Sequence, residues 1–105
     1  MIGLDEVKTT FLPNGSHLRV KLKFVGDLGF TEEREAAISI NRIVYDQEAA
    51  DKELAFLTQR EIKKAVADYA FNLHGEKYKD HLDCYEKARI DMNNKALNAL
   101  DLLEG

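Results

Sequence analysis

Residues 17–25, HLRVKLKFV, alternate without a break between polar and apolar side chains. Leu18, Val20, Leu22 and Phe24 point to one side of an extended chain, and His17, Arg19, Lys21 and Lys23 to the other. That period of two is the pattern of a half-buried strand. Upstream, Val7, Thr9 and Phe11 repeat it more weakly, and Pro13-Asn14-Gly15-Ser16 supplies turn residues. The spacing predicts a hairpin with strands at about 6–12 and 17–25. A two-stranded hairpin is marginal in water, so its apolar face has to be covered by the rest of the chain.

That cover reads as helical. Gly26-Asp27-Leu28-Gly29 ends the second strand, and FTEEREAAISINRIVYD follows. Thr31 as an N-cap, Glu32 and Glu33 in a first turn, and Ala36, Ala37, Ile40, Ile43 and Val44 on one face favour a helix. A third strand over 36–45 is the alternative, supported by the β-branched content and by Ile38 and Tyr45, which miss the helical face. Beyond Asp46, QEAADKELAFL is helical in composition, and Thr58 with Glu61 matches a capping box that would open a new helix over 59–73. His74-Gly75 closes it. A final helix of about 27 residues, roughly 40 Å long, is expected from Lys77 to Leu103. Tyr78, Leu82, Tyr85, Met92, Ala96, Ala99 and Leu103 form a heptad seam along it, with Ile90 and Leu97 on the opposite side.

With 105 residues the chain makes one domain, a hairpin at about 6–25 followed by a helical part at about 31–103. No apolar run is long enough to cross a membrane. The start of the chain lacks a secretory pattern, and a single cysteine suits a reducing compartment, so a cytoplasmic location is the expectation. The net charge is −4, unevenly spread: residues 1–25 and 58–79 each carry +2, residues 26–57 carry −5 and residues 80–105 carry −3. Alternating blocks suit pairing with a charged partner, a second copy included. They do not make the basic domain of a dedicated nucleic-acid binder.

The stretch 74–87, HGEKYKDHLDCYEK, holds His74, His81 and Cys84. These three are weak candidates for a metal, because the two short ligand clusters of a zinc site are missing. The competing reading makes them a hinge and core edge, with Cys84 a small hydrophobe bordering the seam. Cys84 lies well inside a helix, away from the positive N-terminal end that would favour a thiolate nucleophile. Glycine-rich phosphate loops, zinc-protease motifs and Ser/His/Asp arrangements are absent.

Arg19, Lys21 and Lys23 form a basic strand face, and Arg60, Lys64 and Phe71 line up on the 59–73 helix. A cationic stripe ending in an aromatic can follow phosphates and stack a base. The acidic helix that follows, with Asp80, Asp83 and Glu86, argues against a helix-turn-helix use of it.

These residues favour an α+β fold, a hairpin packed on a mainly helical part with a long final helix. The expected function is a small, acidic, non-enzymatic regulatory protein, with no cofactor, acting through protein–protein contacts as a homo-oligomer, most simply a homodimer. Its interface would use Ile90, Leu97, Phe71, Arg60 and Lys64. Small acidic inhibitors encoded by bacteriophages or mobile elements are one form such a protein takes. The alternatives are a ligand-binding protein or enzyme with a pocket between subunits around Tyr69, His74, Tyr78, His81 and Tyr85, and, third, a nucleic-acid-binding regulator.

Overall fold

The computed structural model describes residues 1–12 and 15–104, the side chains of 101–104 excepted. Three strands form an antiparallel sheet in the order β1 (Gly3–Phe11), β2 (His17–Val25), β3 (Thr31–Ser39). Helices α1 (Ile40–Tyr45), α2 (Gln47–His74) and α3 (Glu86–Glu104) follow, with an eleven-residue run of 3-10 turns, Gly75–Tyr85, between the last two. The α+β architecture is that expected from the sequence.

The hairpin forms as its alternation requires. Val7, Thr9 and Phe11 stand opposite Leu22, Val20 and Leu18, with an irregularity between Leu4 and Glu6. Pro13 and Asn14 of the expected turn lie outside the described residues; Leu12 donates its N–H to the His17 carbonyl at 3.0 Å. Val20, Leu22 and Phe24 are completely buried. They meet Ala50, Leu54, Ile62, Ala65, Val66 and Tyr69 of α2, and Met92 and Ala96 of α3.

Residues 31–45 follow the alternative reading, a third strand, with shifted bounds. They are not one helix, and the strand lies at 31–39 rather than 36–45, with a short helix after it. Glu32 and Arg34 pair with Phe24 and Leu22, which places two charged side chains on the core-facing side of β3. They are tolerated there because Arg34 binds Glu32 at 2.6 Å, Glu61 of α2 at 3.4 Å, and Asp68 of α2. Charge pairing thus replaces apolar contact at the sheet edge. Ser39 then caps α1, its hydroxyl accepting the Asn41 N–H at 3.2 Å.

Helix α2 is continuous, so the expected break at Thr58 does not occur. Its N-cap is Asp46, which accepts the Ala49 N–H at 3.1 Å. Thr58 is fully buried, and its hydroxyl donates to the Leu54 carbonyl at 2.8 Å, back into the helix it was expected to begin. Twenty-eight residues at about 1.5 Å each give about 42 Å, close to the 44 Å long dimension of the molecule. The long rod is therefore α2. The final α-helix starts at Glu86 rather than at Lys77, and it is packed on β1 and α2. Gly75, at φ 62°, ends α2 as expected.

The 3-10 winding of residues 75–85 re-sorts the expected seam. With three residues per turn, Leu82 and Tyr85 share one side, and Tyr78 and His81 the next. Tyr85 enters the core, while Tyr78 and His81 turn back on Phe71 and His74.

One glycine is dictated by packing. A Cβ at Gly26 would fall inside the van der Waals envelope of the buried Tyr69 ring, whereas one at Gly3 meets nothing. Gly26→Ala should lower unfolding stability by about 1–3 kcal/mol. Gly3→Ala should stay within about 0.5 kcal/mol of the parent in the same denaturant titration.

Candidate functional site

The outer face of α2 carries the most unusual surface. Ala49, Glu53, Phe56, Arg60, Lys63, Lys64, Ala67 and Phe71 recur at steps of three and four, opposite the buried stripe. Phe56 is 64% exposed and Phe71 51%. Fifteen residues separate them, about 22 Å along the helix. Arg60, Lys63 and Lys64 lie exposed between the two rings; Lys64 approaches Glu61 at 3.8 Å. At the N-terminal end Tyr45, 92% exposed, shares a shallow depression with Ala49 and Arg42. At the other end Tyr78 packs edge-on against Phe71, ring centroids 5.6 Å apart. The result is an aromatic trail interrupted by cations along the whole length of α2.

A second surface lies at the hairpin end, between α2 and α3. An apolar groove of about 560 Å³ opens there, with Leu18 in its floor and Ile43, Leu54, Leu97 and Leu100 in its walls. Asp51 and Lys52 stand at its rim, and Phe11, 67% exposed, at its lip. Leu97, assigned by periodicity to an outward stripe with Ile90, is in fact a half-buried wall of this groove; Ile90 is exposed.

The aromatic and histidine residues around the inter-helix turn pack mostly against each other. The His74 and His81 rings stack at 3.8 Å with 12° between planes, and His74 Nε2 lies 2.7 Å from the Tyr85 hydroxyl. Tyr85 meets Tyr69 edge-on at 5.5 Å. Stacked imidazoles keep their in-plane lone pairs parallel, so they do not converge as tetrahedral ligation needs. Cys84 is exposed and faces a different groove, beside Ile2 and Leu4. Among the described residues no group of three or more His, Cys, Asp or Glu side chains is arranged to hold a metal ion.

The basic strand face is paired off by the strands on either side of it. Arg19 meets Glu35 at 3.5 Å, Lys21 meets Glu33 at 3.2 Å, and Lys23 meets Asp5 at 4.0 Å. Each of its three cations thus faces a carboxylate on a neighbouring strand. No helix among the described residues is long and apolar enough to cross a membrane.

A polar chain joins the sheet end to α2. The Tyr69 hydroxyl donates to Asp27 Oδ2 at 3.0 Å, and the N-terminal ammonium binds the same carboxylate. The ammonium, then the Tyr69 hydroxyl, hold the Asp27 carboxyl below the usual carboxylate range. Burial pushes the Tyr69 and Tyr85 phenols above their ordinary value of 10.

Comparison of the chain with protein-family models, with curated proteins and with solved structures gives no match in any of the three.

The phenol shifts fix a pH window. A group whose proton is held more tightly in the folded state contributes stability that is complete below its unfolded value and lost as pH rises through the folded one. In thermal melts the phenols' contribution should therefore hold steady up to about pH 10 and fall above it. Tyr69→Phe should lose about 0.5–1.5 kcal/mol at neutral pH, through the missing bond to Asp27, and flatten the alkaline decline.

Proposed function

We propose that this protein is a non-enzymatic interaction module that grips an acidic helical segment of a partner protein along the outer face of α2. The observation that carries this reading is the run of Tyr45 at the end of α1, then Phe56 and Phe71 on α2, all strongly exposed, with Arg60, Lys63 and Lys64 between the two phenylalanines. Exposed aromatics with arginine are the side chains that dominate binding energy at protein interfaces. A rod with anchors about 22 Å apart suits a helix laid along it, whose own apolar residues recur every three or four positions. The cations select the sign of that helix. They form a local basic strip on a chain whose net charge is −4, so an acidic segment is attracted to this face and repelled elsewhere.

A nucleic acid is the weaker occupant of the same face. Three cations on an acidic chain give little counterion release, and the strand lysines that could have extended the track are engaged with Glu33 and Asp5.

The test is capture from lysate followed by mapping. Hydrogen exchange on the recovered complex should protect α2 around Phe56 and Phe71, and the protected segment of the partner should be an acidic helix. Phe56→Glu should weaken the complex at least about tenfold while leaving the melting temperature in place, and adding Phe71→Glu should weaken it further at a small cost in melting temperature, through the lost contact with Tyr78. Protection on another face, a basic bound segment, or recovery of nucleic acid alone would overturn the reading.

A further inference from the structure

We propose that the groove at the hairpin end is a homodimer interface, in which Phe11 of each copy fills the groove of the other. A two-fold contact needs a patch that is complementary to itself, so a projection and a matching hollow must sit side by side. Phe11 and the groove meet this condition. Phe11 ends β1 at the lip, its ring two-thirds exposed, and the hollow beside it is walled by Ile43, Leu54, Leu97 and Leu100. A two-fold passing between the lips sends each ring into the hollow of the other copy.

The charges at the rim are self-complementary too. Asp51 and Lys52 are adjacent, and Lys52 makes a 3.4 Å surface contact with Glu48. The two-fold sets Lys52 of one copy against Asp51 of the other, twice. Packing supplies the drive: interiors are filled to crystal-like density, and an apolar hollow of about 560 Å³ open to water is a surface that association removes. This surface lies on the side of α2 turned away from the aromatic trail, so the inference stands whether or not that trail binds a partner.

A contact built on one ring and one ion pair per copy should be weak, so the dimer should dissociate in about the micromolar range. Light scattering from about 1 to 200 µM should show the mass rising from 12.0 kDa toward twice that value. Phe11→Glu should stay at 12.0 kDa throughout, with an unchanged circular-dichroism spectrum and melting temperature. Asp51→Lys should weaken association at least about tenfold, and adding Lys52→Asp should restore it. A wild-type mass fixed at 12.0 kDa over the whole range would overturn the proposal. So would a dimer indifferent to Phe11→Glu, or native mass spectra of a monomer carrying an apolar small molecule.

Discussion

Strand β2 is the element on which the rest of the molecule depends. It has neighbours along both edges, and three side chains of its inner face, Val20, Leu22 and Phe24, are wholly removed from water. Their burial requires a cover longer than the strand, and α2 provides it with a stripe running from Ala50 to Ala70. The outer face of the same strand carries Arg19, Lys21 and Lys23, which would repel one another in isolation. Glu33 and Glu35 on β3, with Asp5 on β1, sit within ion-pair distance of them. Exposed pairs of this kind contribute little stability. Opposite charges facing each other across strands still favour this register over a slipped one.

The sheet's third strand shows why local pattern fails at an edge. Half of its inner face is charged, so the alternation that identifies β2 is invisible in TEEREAAIS. What makes Glu32 and Arg34 inward residues is the pair of carboxylates that α2 brings over them, Glu61 and Asp68, some thirty residues further along the chain. No window of neighbouring residues contains that information. Helix propensity at Ala36 and Ala37 was overruled by an ion-pair cluster and by the exposed edge of the hairpin, which gains a full ladder of hydrogen bonds when β3 is added.

The helices were legible in type and misplaced in extent. Thr58 and Glu61 carry the residues of a capping box, yet Thr58 falls on the buried stripe, where continuing the helix buries Leu54, Thr58 and Ile62 together. Tertiary burial outweighed the local signal. The surplus length then belongs to α2 and leaves α3 short enough to lie down on β1. On the candidate surfaces, Arg60, Lys64 and Phe71 were legible because helical periodicity alone puts them on one face. Phe56 was missed because the false break at 57/58 cut the stripe in two. The groove was out of reach, since Leu18, Ile43, Leu54 and Leu97 come from four different elements that meet only in the folded chain.

Those two surfaces bear on each other through α2. Near its N-terminal end the same few turns present Leu54 and Asp51 to the groove and Ala49, Glu53 and Phe56 to the opposite side. Arg42 ties α1 to this part of the rod through Glu53 at 2.7 Å. The proposed two-fold at the hairpin end would leave the aromatic trail unobstructed and would carry two such trails on one assembly. For a partner with a repeated acidic helix, the second engagement becomes intramolecular, and avidity rises without any new contact. Weak self-association of a small acidic chain would then act as a control on partner strength, set by protein concentration rather than by a change in conformation.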